Sequence, residues 1–153
     1  MLPLEDALAQ MLHQLPFPTK TETLALTEAA DRVCAEDVIS PINVPSFDNS
    51  AMDGYAVRLA DLQQSMTLSV AGKSFAGNPF QGEWGAQSAV RIMTGAMIPE
   101  GADAVVMQEE VTVNEDGTVT FAALPKANQN IRRIGEDVKK GDVVLHQGDE
   151  LNA

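Results

Sequence analysis

The sequence predicts a mainly β fold with one N-terminal amphipathic helix, an α+β arrangement. Apolar residues recur at three- and four-residue spacing between residues 4 and 15, which is typical of a helix with one apolar face. From residue 45 onward, short β-prone runs alternate with glycine-containing turns, a pattern typical of many short strands. A chain of 153 residues is long enough for one domain or two small ones.

The helix is predicted over 4–15 because Leu4, Leu8 and Leu12 repeat on one face. Acidic residues in its first turn suit the positive end of the helix dipole. Pro16 and Pro18 are expected to end it. The apolar face must meet another surface, and two alternatives stay open: packing on its own domain, or contact between two subunits.

Further elements follow along the chain. Alternating polar and apolar residues predict a strand at 21–26, and Thr27 is expected to cap a short helix from 28 to about 34. The remaining predictions are extended pieces or strands at 37–40, 55–58, 66–71, 89–93, 104–107 and 142–145, a short helix at 58–64, and a hairpin at 111–121. The turn of that hairpin is assigned to Asp116-Gly117.

The charge balance limits the classes of partner. The chain has 10 Lys and Arg against 22 Asp and Glu, a net charge of −12. Such a surface repels nucleic acid and anionic membranes, and a phosphate ligand would need a local arginine or a bridging divalent cation. A single cysteine, no apolar run that could cross a bilayer and no basic secretion signal favour the cytoplasm.

The stretch 45–57 concentrates short polar side chains of the kind that favour turns. The Asp53-Gly54 pair predicts a tight turn, because Gly54 tolerates a positive φ at no steric cost. Asp48 and Asp53 could together hold a cation such as Mg²⁺, which prefers a few carboxylates and retained waters. The alternative is that both only cap turns.

Two other segments offer groups for an anion. Arg132 and Arg133 stand beside Glu136 and Asp137, so they could bind phosphate near a metal or simply form ion pairs on an exposed turn. Thr94 precedes a glycine after a predicted strand, so its hydroxyl could meet a ligand or bond the backbone, and the glycine could allow close backbone approach.

The run Pro45-Ser46-Phe47-Asp48-Asn49-Ser50-Ala51-Met52-Asp53-Gly54-Tyr55-Ala56 resembles the signature of the molybdopterin molybdenumtransferases, the MoeA and gephyrin E-domain family. The segments 91–96, 99–106 and 130–137 resemble the family's next motifs in the expected order. The resemblance implies an elongated, discontinuous first domain, here 1–44 with 136–153, and an inserted β-rich domain at 45–135. It also implies a homodimer formed through the elongated part.

The same resemblance implies the reaction and its residues. Family members insert molybdate into adenylylated molybdopterin with Mg²⁺-dependent release of AMP. Asp53 and Asp137 would be the catalytic carboxylates and the Mg²⁺ ligands. Thr94, Arg132 and Ser50 would bind the substrate.

The family's proteins are longer and add an α/β substrate domain and a C-terminal β domain. This chain is therefore expected to be an N-terminal portion, inactive alone. The alternative is a dimerisation and scaffold module without activity. A third hypothesis, an independent Mg²⁺-dependent phosphohydrolase, fits the acidic turns but not the length of the match.

Overall fold

The computed structural model describes residues 3–16 and 20–152. It contains two α-helices, α1 (Leu4–Gln14) and α2 (Leu59–Gln64), and short 3-10 turns at Leu26–Glu28 and Gln108–Glu110. The strands are β1 (Val38–Ile39), β2 (Asn49–Ser50), β3 (Gly54–Val57), β4 (Thr67–Ser74), β5 (Ser88–Ile92), β6 (Ala104–Met107), β7 (Val111–Val113), β8 (Val119–Phe121), β9 (Ile131–Arg132) and β10 (Val143–Leu145). The mainly β prediction with one N-terminal helix is confirmed.

A six-stranded sheet in the order β6-β3-β5-β4-β8-β7 forms the main body. Its pairs are antiparallel except β4 with β5, which run parallel and shift register between Val70 and Gly72. Two further ladders join β2 with β9 and β1 with β10. The strand β3 lies between β5 and β6, so both of its edges are hydrogen-bonded.

Strands β3, β5 and β6 carry buried apolar side chains on both faces of the sheet. Tyr55 and Val57 of β3 pack into one buried cluster, and Ala56 between them packs into a second cluster with Val90 and Ile92. Successive side chains of a strand point to opposite faces. A strand covered on both faces therefore reads as a continuous apolar run, as 104–107 does.

Gly54 is required by close packing and not by a turn. The tight turn predicted at Asp53-Gly54 is wrong, because Gly54 is the first residue of β3 and does not have a positive φ. A Cβ at this position would lie 1.9 Å from the carbonyl oxygen of Val106 on the neighbouring strand. Glycine is the residue that permits such backbone approach.

The helix α1 confirms the 4–15 prediction to within one residue at its end, and Pro18 lies outside the described residues. Within the described chain no residue of α1 is buried, and Leu4 and Met11 are 83% and 66% exposed. Packing of the apolar face on the described part of its own domain is therefore not observed.

The segment after the first helix differs from its prediction. Residues 20–25 form no strand, and the helix predicted from 28 to about 34 is replaced by the 3-10 turn Leu26–Glu28 and a bridge between Val33 and Glu150. The N–H of Cys34 donates to the carbonyl of Asp149, and the N–H of Leu151 donates to that of Arg32. Pairing with residues distant in sequence thus determines the structure of this segment, and the local alternation of polar and apolar residues does not.

The chain divides into two compact units, residues 1–38 with 145–153, and residues 39–144. The first contains α1 and the pairing of the chain's end with 31–34. The second contains the six-stranded sheet and every residue discussed below as a site candidate. Among the described residues, none of the helices has the length and apolar character needed to span a membrane.

Candidate active site

Asp53 and Thr94 meet at one edge of the sheet although they are 41 residues apart. Asp53 directly precedes β3, and Thr94 follows the end of β5. These strands are antiparallel with Gly54 opposite Ile92, so the start of one lies beside the end of the other. The N–H and the hydroxyl of Thr94 both donate to Oδ1 of Asp53, at 2.8 and 2.7 Å.

These two hydrogen bonds keep Asp53 ionised. The N–H of Thr94, followed by its hydroxyl, lowers the pKa of Asp53 below the ordinary value of 3.8, and the nearby charge of Arg91 acts in the same direction. Among the described residues no hydrogen bond reaches Oδ2 of Asp53. One carboxylate oxygen is therefore fixed by Thr94, and the other can accept a cation or a proton.

Gly95, which follows Thr94, allows the backbone of this turn to adopt a positive φ. Gly95 has φ +78°, and a Cβ there would meet only the Cβ of Ala76, at 4.0 Å. The left-handed backbone explains the glycine, and the close approach of a ligand to this backbone stays a prediction. The N–H of Gly95 donates to the carbonyl of Ser50 at 2.8 Å, which anchors the turn that carries Thr94.

Ser50 lies in β2 beside this turn. Its side chain is 1% exposed, and its hydroxyl donates to the carbonyl of Met52 at 2.6 Å. The same oxygen accepts a hydrogen bond from the N–H of Met52 at 3.3 Å. The hydroxyl thus stabilises the loop that leads to Asp53, and substrate binding by Ser50 stays a prediction.

Arg132 lies on β9, opposite Asn49 of β2, and forms an ion pair with Asp137. The hydrogen bond and charge of Asp137 raise the pKa of the Arg132 guanidinium. Both side chains are 40–48% exposed, so water screens the pair and a ligand could replace either partner. The two residues predicted from the motif are thus in contact with each other.

Asp48 has a structural role. Its Oδ1 accepts the N–H of Ile134 at 2.7 Å, and its other oxygen pairs with Arg133. The Ile134 N–H and then Arg133 lower the pKa of Asp48. This carboxylate joins two distant segments, so the hypothesis that Asp48 shares a cation with Asp53 finds no support in its contacts.

The carboxylates of the candidate site fit a bound cation only if water or substrate supplies the remaining ligands. Across residues 3–16 and 20–152, no group of three or more His, Cys, Asp or Glu side chains could hold a metal ion. Mg²⁺ commonly binds one or two carboxylates and takes its remaining ligands from water and substrate phosphates. The free oxygen of Asp53 is suited to that mode, and metal binding by Asp53 and Asp137 stays a prediction.

Sequence reasoning missed Arg91. Its guanidinium donates to the carbonyl of Gly54 at 2.9 Å and to the side chain of Gln108, and it lies 5.1 Å from the centre of the Tyr55 ring. The signal in the sequence was a positively charged residue between the apolar residues Val90 and Ile92. In the structure both of these neighbours are fully buried. Such a charge needs partners on the neighbouring strands.

Replacing Thr94 with valine tests the cause of the lowered pKa. We expect the pKa of Asp53 to rise toward 3.8, because the hydroxyl donor is lost. A carboxylate with a lowered folded-state pKa stabilises the fold above about pH 4, and this contribution disappears as the pH falls through the folded-state pKa. The variant should therefore show a smaller acid-dependent loss of stability, measured by urea unfolding alongside carboxyl NMR titration.

Thr118→Val is the matched control for that titration. Thr118 makes the same pair of hydrogen bonds to Asp116 in the hairpin. Its replacement should change the titration of Asp116 and leave that of Asp53 as it was. An unchanged pKa of Asp53 in Thr94→Val would contradict the assignment.

Comparison with known proteins finds relatives of this chain. The family described as the MoeA N-terminal region, domains I and II, matches residues 2–153. A molybdopterin molybdenumtransferase of Haemophilus influenzae is 80% identical over 99% of the chain, and one of Bacillus subtilis is 39% identical over 96%. The chain spans 37% and 36% of the lengths of these relatives.

A solved structure agrees with the fold. The crystal structure of a molybdopterin biosynthesis MoeA protein from Pyrococcus horikoshii OT3 superposes with a TM-score of 0.88 at 38% identity. The match covers 99% of this chain and 41% of that one. The resemblance inferred from the motifs is confirmed.

Proposed function

Because the chain belongs to the family of MoeA N-terminal regions, domains I and II, we propose that it is the N-terminal part of a molybdenum cofactor biosynthesis enzyme. That enzyme would insert molybdate into adenylylated molybdopterin. The observation that carries this proposal is the contact between Asp53 and Thr94, which fixes an ionised carboxylate at a sheet edge. The named molybdenumtransferase relatives support it.

Asp53 is assigned the central role. Its Oδ1 is held by Thr94 and its Oδ2 is open among the described residues, so the carboxylate can act without first reorganising. The family implies Mg²⁺ as cofactor, with Asp53 and Asp137 as its protein ligands. When bound, Mg²⁺ neutralises the pyrophosphate charge and so assists the departure of AMP.

Arg132 and Asp137 are assigned a paired role at the substrate's phosphate. A chain with net charge −12 repels an anionic substrate, so a local cation is needed. Arg132 offers a planar fork that matches phosphate oxygens. Exchange of Asp137 for phosphate would satisfy the arginine and release the carboxylate for a cation. Thr94 and Ser50 would contribute polar contacts to the substrate.

A second candidate function is favoured by the exposed face of α1. Leu4, Leu8 and Met11 are more than half exposed in the described chain, and exposed apolar stripes of this kind mark interaction surfaces. A homodimer contact there, in the cytoplasm, would make the chain a scaffold module as well as part of an enzyme. The division into 1–44 with 136–153 and 45–135 belongs to the same proposal.

A chimera tests the proposed function. This chain would replace the corresponding N-terminal segment of the Haemophilus influenzae relative, to which it is 80% identical. We expect the chimera to release AMP and insert molybdenum within about tenfold of the relative's rate, since uncoupled substitutions act nearly additively and mildly. Adenylylated molybdopterin, molybdate and Mg²⁺ would be supplied.

The 153-residue chain alone is the companion sample. It should release no AMP, and sedimentation should show whether it is dimeric. A folded chimera without activity would refute the enzymatic role, and a dimeric chain would then support the scaffold function. Turnover by the isolated chain would show that the catalytic set lies wholly within these residues.

A further inference from the structure

We infer that Arg91 is a positioning residue for Asp53, holding the start of β3 so that the carboxylate faces Thr94. This inference deepens the proposed function and rests on it for its catalytic meaning. Three contacts of one guanidinium carry the inference.

The first contact fixes the residue after Asp53. One terminal nitrogen of Arg91 donates to the carbonyl of Gly54 at 2.9 Å. Arg91 stands opposite Tyr55 in the antiparallel ladder, so its side chain reaches along the sheet toward the beginning of β3. The peptide unit between Gly54 and Tyr55, one residue beyond Asp53, is thereby tied to the neighbouring strand.

The second contact fixes Asp53 itself. The other terminal nitrogen of Arg91 donates to Oε1 of Gln108, and the N–H of Gln108 donates to the carbonyl of Asp53 at 3.0 Å. Gln108 follows directly after β6. Arg91 on β5 is therefore linked to Gln108 after β6, and Gln108 in turn binds the backbone of Asp53. Because β5 and β6 flank β3, the start of β3 is held from both sides.

The third contact limits the motion of the guanidinium. Its central carbon lies 5.1 Å from the centre of the Tyr55 ring, within the range of a cation–π interaction. Tyr55 is buried and its ring meets Phe121 edge to face. A planar fork on a fixed ring can hold two acceptors at once, which a lysine ammonium at the same place would do less well.

Arg91→Met removes the fork, and the readouts are local and need no substrate. Since the Thr94 N–H donates to Asp53, its hydrogen-exchange protection reports the Asp53–Thr94 contact. We expect this protection to fall roughly tenfold relative to core amides such as Val90. The pKa of Asp53, followed by carboxyl NMR, should rise. Arg91→Lys should restore the pKa more fully than the protection, because charge returns without the fork.

Lys73→Met is the matched control. Lys73 lies opposite Arg91 on β4 and also carries a positive charge, but it is exposed. Its replacement should leave both readouts unchanged. Gln108→Leu provides a second variant that keeps Arg91 on Tyr55, and it should lower Thr94 protection even if Arg91→Met fails to fold.

Parent-like protection of Thr94 and a parent-like pKa of Asp53 in Arg91→Met would overturn the inference. Loss of protection spread equally over the core amides would also overturn it, since that indicates general destabilisation. These outcomes are separate from failure of the proposed function, because Asp53 could be well positioned in a chain whose chimera is inactive.

Discussion

Replacement of Gly54 by alanine is expected to destabilise the chain by at least about 3 kcal/mol, which is a large share of the stability of a typical domain. The added Cβ would lie 1.9 Å from the carbonyl oxygen of Val106 and 2.8 Å from its carbon, both backbone atoms of β6. Neither can rotate away as a side chain could. Relief requires that β3 and β6 separate along their ladder of four residue pairs.

Urea unfolding followed by circular dichroism measures this effect. Gly85→Ala is the matched control: Gly85 does not have a positive φ, and among the described residues nothing lies within 4 Å of an added Cβ. We expect its unfolding free energy to change by less than about 0.5 kcal/mol. Equal midpoints for the two variants would show that β3 and β6 do not approach as closely as described.

Asp53→Asn is expected to reduce turnover of the active chimera about 100-fold or more, with near-normal folding. Asparagine has nearly the same shape, but its amide carries no charge and cannot attract a cation or accept a proton. The N–H of Thr94 can still donate to the amide oxygen, so the turn should survive. The measurement is AMP release and molybdenum insertion at saturating substrate, with the unfolding midpoint recorded in parallel.

Asp116→Asn makes the equivalent change outside the proposed site. Asp116 also accepts the N–H and the hydroxyl of one threonine, at 2.9 and 2.7 Å, and its pKa is lowered by that threonine. We expect its turnover to match the unmodified chimera. Normal turnover of Asp53→Asn would remove Asp53 from the mechanism, while equal losses in both variants would assign the effect to folding.

Two Asp-Gly pairs show how far the sequence could predict the fold. At Asp116-Gly117 the interpretation as a turn is correct, since Gly117 has φ +82° between β7 and β8. At Asp53-Gly54 the same interpretation is wrong, because Gly54 begins a strand. A turn is a local property of neighbouring residues, whereas the close approach of Val106 depends on which strand becomes the partner.

The predictions for residues 4–15 and for residues 21–26 show the same contrast between local and long-range structure. The helix at 4–15 was predictable because its periodicity and its hydrogen bonds lie within the segment. The strand proposed at 21–26 had the right alternation but needs a partner strand, and residues 31–34 instead meet 148–151. Alternation indicates that a segment could pair and does not identify a partner.

The same contrast between local pattern and long-range pairing applies to the candidate site. Asp53, Thr94, Arg132 and Asp137 were named from the motifs of a family, and the structure places them as two contacting pairs. Which residue contacts which was not predictable, because Asp53 and Thr94 meet only through the pairing of β3 with β5. Arg91 was missed because its partners lie on two other segments of the sheet.

The antiparallel alignment that brings Asp53 to Thr94 also makes the site sensitive to errors in strand alignment. A slip of one residue between β3 and β5 would turn the aspartate to the opposite face, and a slip of two would displace it by about 7 Å along the strand. Either error could leave the strand content nearly unchanged. Catalytic competence would therefore distinguish a correctly aligned chain from a misaligned one that circular dichroism cannot tell apart.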